Sequence, residues 1–462
     1  MPTLGQETIA KSRPARTARV LAMFTRVLPG EVTTALLMAL NVFLLLAACY
    51  VIKPVRDGLI LAMPRGAEFK AYLGGAIALS LLVIVPLYAR VASQVRKVRL
   101  VVGVTLLFAA QLVLFFFASA VPALEQRIGL VFYAWVGVFN MMVVAQFWAF
   151  ANDVYSEEQG RRLFPLVGLG ASLGAVLGAA VPGLLARTVG VYPLLLVSAA
   201  LLVGCACLTL TVHGREARAR PALKDEVPRR DDESTGSFRI VSRHRYLVLI
   251  AAFTVLFTWV NTNGEFIIDV LLSRAASESV ASGALDRAGS RAWTVAWKGQ
   301  FFFGVNLLSL LLQALVASRI VRHGGVRAAL LVFPLVALLD ATMLTVAPLL
   351  LVVRIGKTLE NAVDYSINNT ARNLLWLPTT TAMKYQAKQA IDTFFVRLGD
   401  VTSALTVYVM WRAREITDVR WYAALNLVLS LAAAWLALRI VATDREDAPE
   451  EPSAGAARPR PA

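Results

Sequence analysis

The sequence predicts an all-α membrane protein of twelve transmembrane helices, laid out as two six-helix halves. Three observations predict it. Uncharged apolar runs recur along the 462 residues, each near the roughly 20 residues a helix needs to cross a bilayer. A charged, proline-containing stretch without apolar periodicity, residues 213–246, falls at the midpoint. The connections between runs alternate between rich and poor in arginine and lysine, the asymmetry that orients membrane helices.

In order, residues 1–33 form a polar tail carrying Lys11, Arg13, Arg16, Arg19 and Arg26. Its basic region is too long for a cleavable signal, and a full span follows it. Spans are expected near 34–52, 71–92, 100–120, 128–151, 164–187 and 191–212 in the N-terminal half (34–212). The C-terminal half (247–441) holds spans near 247–271, 294–317, 328–346, 349–371, 389–411 and 421–441, followed by a disordered tail, 442–462. Arg90, Arg96, Lys97 and Arg99 follow the second span, Arg161 and Arg162 the fourth, and Arg319, Arg322 and Arg327 the eighth. Opposite connections hold fewer, such as Arg127 and Arg187. Both termini and the 213–246 linker are therefore expected in the cytoplasm, which demands an even number of spans. A faint echo between Phe164-Pro-Leu-Val-Gly-Leu-Gly and Phe394-Phe-Val-Arg-Leu-Gly, at the openings of the fifth and eleventh spans, supports the repeat.

With 58% hydrophobic and 16% charged residues, a soluble enzyme is excluded. The net charge of +16 is spread between apolar runs rather than gathered on one domain, so no nucleic-acid partner is expected; the lipid bilayer is. Cys49, Cys205 and Cys207 lie in expected spans and imply no disulfide framework. His213, His244 and His323 are scattered near span ends, and no metal or other cofactor is expected. The preponderance of arginine over lysine, with abundant alanine, points to a GC-rich bacterial genome and so to the bacterial inner (cell) membrane. A monomer is expected.

The chemistry concentrates in residues 351–400. Arg354, Lys357, Asn361, Asp364, Asn368 and Arg372 recur at steps of three or four, one face of a helix, with Glu360 flanking them. A charge at a helix centre costs roughly 2.5–3.5 kcal/mol on insertion scales, so these side chains must face each other or water, lining a cavity. Pairing of Lys357 with Glu360 or Asp364 purely to hold helices together is the competing reading. Lys388 and Asp392 lie a helical turn apart at the entry to the eleventh span, with Arg397 and Asp400 deeper.

Elsewhere, Lys53, Arg56 and Asp57 end the first span on the non-cytoplasmic side, where positive charge is disfavoured, and that anomaly favours a functional role; snorkelling from a span end is the competing reading. The seventh span carries Asn261, Asn263, Glu265 and Asp269, an acidic pair suited to counter-charging cavity cations or to proton coupling. Glu158 and Arg162, four apart after the fourth span, form either a gating pair or a solvated turn. Gly168-Leu-Gly-Ala-Ser-Leu-Gly-Ala-Val-Leu-Gly reads as close helix packing rather than a dinucleotide loop, because no strand precedes it. Ile355-Gly-Lys-Thr resembles the end of a phosphate loop, but Leu351 stands where the loop needs glycine, so nucleotide hydrolysis is rejected. Basic residues in excess at the membrane suit an anionic small molecule.

At Lys53-Pro-Val-Arg-Asp, Phe147-Trp-Ala-Phe-Ala-Asn-Asp, Arg162-Leu-Phe-Pro-Leu-Val-Gly-Leu-Gly and Lys384-Tyr-Gln-Ala-Lys-Gln-Ala-Ile-Asp the chain resembles the ATP/ADP translocase family of nucleotide exchangers. The resemblance implies a major-facilitator-like fold and exchange of nucleotides. It carries functional basic residues onto Arg56 and Lys388, and acidic ones onto Glu158 and Glu265. The chain departs from the family in the tenth span, where Tyr365-Ser-Ile-Asn-Asn-Thr-Ala-Arg replaces a Phe-Asp-Pro-type run.

The expected function is therefore secondary transport of an anionic, nucleotide-like solute, ATP/ADP or another phosphorylated compound, by alternating access and in exchange. Lys53, Arg56, Arg354, Lys357, Asn361, Asp364, Asn368, Lys388 and Arg397 are its expected ligands, with Asp57, Glu265, Asp269, Glu360 and Asp392 as counter-charges or coupling groups. Proton-coupled transport of another organic anion is the alternative within transport. A membrane-embedded enzyme acting on a lipid phosphate is the rival class, but it needs a paired-aspartate metal motif or a nucleophile–base pair, and neither is found.

Overall fold

The computed structural model describes residues 28, 30–92, 94–219, 237–380 and 383–446. Much of the expected tails and the centre of the 213–246 linker lie outside the described residues. Within them every regular element is helical. The N-terminal part comprises α1 (Val32–Leu61), α2 (Gly66–Ala92), α3 (Lys97–Ala118), α4 (Pro122–Val154), α5 (Glu157–Val189) and α6 (Pro193–Ala219). Then follow α7 (Ser237–Arg243), α8 (Arg245–Ala281), α9 (Arg287–Leu312), α10 (Ser318–Val346), α11 (Leu350–Val363), α12 (Asn369–Leu374), the single turn α13 (Lys388–Ala390), α14 (Val396–Val407) and α15 (Val419–Glu446). Wider π turns, with one extra residue per turn, join or extend several of them at Gln313–Ala317, Asp364–Asn368, Met383–Ala387, Ile391–Phe395 and Tyr408–Ala413.

Eight helical stretches among the described residues are long and apolar enough to cross a bilayer, which makes this a multi-pass membrane protein. One of them, Arg287–Val346, is 60 residues long. At 1.5 Å per residue it would reach about 90 Å, three times the hydrocarbon core, so it cannot be a single crossing. The chain turns within it at Gly325, whose φ of +68° is a left-handed value that glycine adopts without strain. The basic run Arg319, Arg322, Arg327 surrounds that turn.

Local sequence fixes the helix starts. Ser156 caps α5 by accepting from the Gln159 amide while the Gln159 side chain accepts from Ser156 N–H. Asp286 caps α9 through the Gly289 amide at 2.8 Å.

In lipid, helices associate through close packing rather than water exclusion, and the glycines of α5 show where. A Cβ on Gly170, Gly174 or Gly178 would stand 2.4, 2.2 or 2.5 Å from the carbonyl oxygens of Ala39, Phe43 and Ala47 on α1. This four-residue glycine ladder lets α1 and α5 touch backbone to backbone, as the packing reading of the motif requires. Asn41 reinforces α1 from the other side, donating to Thr209 Oγ1 on α6 at 2.9 Å. Valine at Gly174 is expected to lower the thermal midpoint of the detergent-solubilised protein sharply, since overpacking costs about 1–3 kcal/mol even where side chains can yield, and here a carbonyl cannot. Valine at Gly168, where a Cβ meets nothing within 4 Å, is expected to leave the midpoint unchanged.

Three apolar cores organise the bundle. The first is built almost wholly from α1 and α3–α6, with Val295 and Ala296 of α9 at its edge. The second draws on α8, α10 and α15 with residues 363–391. The third joins the two sets through Ile60, Tyr133, Ala179, Phe266, Phe301 and Tyr422. Gly58 of α1 lies against Val295 of α9, and Gly183 of α5 against Gly299. These contacts fall near the ends of α1 and α5 and the start of α9, so the two sets close upon each other at one end of the bundle.

Candidate substrate site

The first helix does not stop near residue 52 as expected. It runs through Pro54 to Leu61, because a membrane helix tolerates proline where neighbouring helices cover the freed backbone groups and Leu59-Ile60-Leu61 continue the buried face. The snorkelling reading fails with it. Lys53, Arg56 and Asp57 lie inside the helix, and the Arg56 and Asp57 side chains are only 13% and 1% exposed.

There they enter an ion-pair network. Asp57 meets Arg56 at 2.8 Å and Lys70 of α2 at 3.2 Å. Asp269 of α8 meets Lys70 and Lys298 of α9 at 2.7 Å each. Lys298 also stands 3.9 Å from Asp57 and 3.8 Å from Glu265. Arg56 is capped by the Tyr133 ring of α4, 4.6 Å from its centroid. Buried charges survive only when each has partners, and α1, α2, α8 and α9 supply them to one another. Sequence reasoning found Arg56, Asp57, Glu265 and Asp269 but missed Lys70 and Lys298. A lysine within an apolar run was the available signal for Lys298.

Lys357 is fully buried. Its Nζ donates to Glu360 Oε1 and Asn261 Oδ1 at 2.8 Å each and to the Asn261 carbonyl at 3.1 Å. Gly264 makes the room: a Cβ there would sit 2.9 Å from Nζ. Asn361 donates to Glu265 Oε1 at 2.9 Å, tying α11 to the network.

The expected continuous stripe lining a cavity is corrected on two counts. Lys357, Asn361 and Asn368 are buried between helices, because carboxylates and amides of α8 and of the stretch itself satisfy them. The π turn at Asp364–Asn368 then inserts an extra residue and rotates the residues beyond it out of the face. Asp364 accepts from Asn368 at 2.7 Å, and Arg372 turns to Asp392 at 3.1 Å and to the Phe257 ring at 4.4 Å. Lys388 shares Asp392 at 3.1 Å. Arg397 pairs with Asp400 at 2.9 Å, and Asp400 also accepts from Thr262. These two groups are joined to the Asp57–Asp269 network by no ion pair among the described residues.

Lys53 is different. It is half-buried and has no carboxylate within 4 Å among the described residues. Its ammonium lies 4.1 Å above the Phe302 ring centroid and 5.5 Å from that of Tyr50, a cation set against π faces. Arg354 is half-buried too, with the Trp297 ring at 5.3 Å and Gln300 Oε1 at 3.3 Å. The region thus offers two cations without acidic partners, aromatic faces from Tyr50, Trp297 and Phe302, and a network that compensates the remaining charges. Such an arrangement can bind an anion.

In the loop after α4 the structure places Glu158 in solvent, as in the solvated-turn reading. Glu158 is 88% exposed and reaches Arg162 only at 4.0 Å. Arg162 instead grips Glu31, at the start of α1, with two hydrogen bonds of 3.0 Å. The carboxylate of Glu31, presented from the neighbouring helix, matches the guanidinium fork on both arms. The Arg162 hydrogen bonds pull the Glu31 carboxyl down to about 2, against the raising effect of burial. A depressed carboxyl stabilises the fold above its unfolded value of 4.5 and stops doing so as pH falls towards 2. Acidification through that window is expected to loosen this end of the bundle, seen as faster hydrogen exchange at the start of α1, and Glu31→Gln should show the looser pattern already at neutral pH. A cavity of about 220 Å³ bounded by Glu31, Thr34, Tyr155, Gln159 and Glu216 belongs to this end and does not touch the ion-pair network.

Comparison with known proteins gives the context. No curated protein matches the chain. Among solved structures it is similar to the nucleoside transporter NupG, with a TM-score of 0.57 and 12% identity over 88% of this chain and 98% of that one. It is also similar to a bacterial homologue of the iron transporter ferroportin in an inward-facing state, with TM-score 0.63, 12% identity, and 88% and 98% covered. A bacterial homologue of the human lysosomal transporter Spinster, also inward-facing, gives TM-score 0.56 and 12% identity over 91% and 99%. At these identities the likeness establishes the fold, which is major-facilitator-like. Residues 297–441 match the family model described as "TLC ATP/ADP transporter". Of the motifs that carried the resemblance, the stretch from Lys384 lies inside that match, and those at Lys53, Phe147 and Arg162 lie outside it. A match to a transporter family's model over residues 297–441, on a major-facilitator-like fold, marks the chain as a membrane transporter rather than an enzyme.

Proposed function

We propose that this transporter carries an anionic, nucleotide-like solute, ATP/ADP or another phosphorylated compound, by alternating access and in exchange for a like solute. Lys53 carries the reading. It is a half-buried cation between the two sets of helices, paired with aromatic rings and with no carboxylate in reach. A phosphate would supply the missing partner at the least cost, and Tyr50, half-buried where Phe302 is closed off, would offer a face to the base.

In this reading Lys53 and Arg354 meet the anion, with Arg56 behind Lys53. Asp57, Glu265 and Asp269 keep the supporting cations in place without cancelling Lys53. Lys357, Asn361, Asp364 and Asn368 stand behind the site, Lys357 being released to the anion only when it leaves Glu360. Lys388, Arg372 and Asp392, with Arg397 and Asp400, act where residues 363–400 slide against α8. The glycine contacts near the ends of α1 and α5 close one mouth of the site, and the Glu31–Arg162 clasp holds the N-terminal helices together at the other. We place the protein in a bacterial inner membrane as a monomer of twelve crossings, six and six about the 213–246 linker, with both termini cytoplasmic, as the arginine distribution supports.

Uptake into proteoliposomes of labelled nucleotides, organic phosphates and an uncharged nucleoside, with and without internal substrate, tests this. Saturable uptake of the phosphorylated compounds, accelerated by internal substrate, is expected. Uptake of the uncharged nucleoside alone would contradict it.

A further inference from the structure

We propose that Asp340 and Glu360 form a proton-binding site, and that an anion drawing Lys357 away from Glu360 loads it with a second proton. The second half of this proposal rests on the substrate reading above; the first does not. Asp340 comes from α10 and is 6% exposed; Glu360 and Lys357, from α11, are 1% and 0% exposed. Gly356 admits the Asp340 carboxyl to the surface of α11: a Cβ there would stand only 1.6 Å from Asp340 Oδ1. The Asp340 and Glu360 carboxyls meet side chain to side chain, yet Asp340 Oδ1 has no hydrogen-bond donor.

Ionised carboxylates accept hydrogen bonds and donate none. Two of them pressed together against a single lysine would also leave one negative charge uncompensated in a dry site. The surroundings do not supply it. From α8 come Asn261, already bonded to Lys357, and Glu265, which meets Asn361 and Lys298. Lys298 of α9 is committed to Asp269, and Arg354 turns to Gln300. Asp364 faces Asn368, and Arg372 faces Asp392. A proton on one of the two carboxyls satisfies both requirements: it gives Asp340 or Glu360 a donor and leaves one carboxylate against Lys357.

If Lys357 then turns to an anionic substrate, Glu360 loses its cation. The pair regains neutrality by taking one further proton onto the remaining carboxylate. No covalent bond other than O–H forms and no electron moves. Linkage makes this reciprocal: protons raise the affinity for the anion as the anion raises the affinity for protons.

Infrared spectroscopy of the purified full-length protein tests the site. At neutral pH the carbonyl stretch of a protonated carboxyl is expected, above any contribution from other buried acids. It should fall by one group in Asp340→Asn and equally in Glu360→Gln, because either variant leaves a single carboxylate paired with Lys357. An unchanged band in both folded variants overturns the proposal. Proteoliposomes enclosing a pH-sensitive dye test the coupling with ADP as the probe. ADP entry into wild-type vesicles should carry protons with it, and the double variant Asp340→Asn, Glu360→Gln, which leaves no carboxylate to load, should reduce the protons moved per ADP about tenfold. Equal proton movement per ADP in the double variant overturns the coupling. Absence of ADP uptake in wild type would count against the substrate reading, while the infrared result would still decide the site.

Discussion

Replacing Lys298 with glutamine is expected to destabilise the folded protein by roughly 3–5 kcal/mol, the cost of removing one partner from a buried ion pair. Lys298 is fully buried, at 2.7 Å from Asp269 and within 4 Å of both Asp57 and Glu265. Lys70 remains for Asp57 and Asp269, but Glu265 keeps only the Asn361 amide within bonding distance. Thermal unfolding in detergent should show a large drop in midpoint and a loss of monodisperse protein. The double variant Lys298→Gln, Glu265→Gln should regain much of it, because the charge left uncompensated is removed along with its partner. A single variant as stable as wild type would mean that the network is wetter than its burial shows.

Lys53→Gln should behave in the opposite way. Lys53 holds no ion pair to lose, so the midpoint should stay near that of wild type. Transport should fall roughly ten- to hundredfold, the range set by one hydrogen bond to a charged group. Lys53→Arg should retain part of the activity, since the charge and the contact with Phe302 and Tyr50 persist while the geometry changes. Initial rates of nucleotide uptake at matched protein density measure it. A Lys53→Gln protein that transports normally would remove Lys53 from the site. The contrast between Lys298 and Lys53 separates charges that hold the helices together from the charge that meets the solute.

The all-helical membrane fold was legible because lipid permits little else. Bilayer-length apolar runs must be helices, and any charge inside them must be satisfied by another helix. That logic singled out Glu265 and Asp269 of α8, which the structure sets against lysines of α2 and α9, and the four-residue glycine spacing foretold the backbone contact between α1 and α5. It failed where the local pattern is silent. Pro54 reads as the end of a span, yet the helix continues because neighbouring helices cover it. Nothing in Asp364–Asn368 marks the π turn that rotates Arg372 out of the stripe; its extra residue is a property of packing against α10 and α9 rather than of propensity. Lys70 lies at the edge of an expected span, where a lysine passes for an interfacial anchor; Lys298 stands inside the expected 294–317 span, a signal that went unread. Asp340 went unremarked as a lone acid in an apolar run, though its meaning depends on Gly356 and Glu360, which only the tertiary structure brings beside it.

The most direct test of an anion site at Lys53 is calorimetric titration of the purified protein with ADP, inorganic phosphate and adenosine in turn. ADP should bind saturably, more weakly as salt is raised, with phosphate weaker still and adenosine weakest, and Lys53→Gln should lose ADP binding by roughly the same ten- to hundredfold factor as transport. Adenosine binding as tightly as ADP, with Lys53→Gln indistinguishable from wild type, would contradict the account.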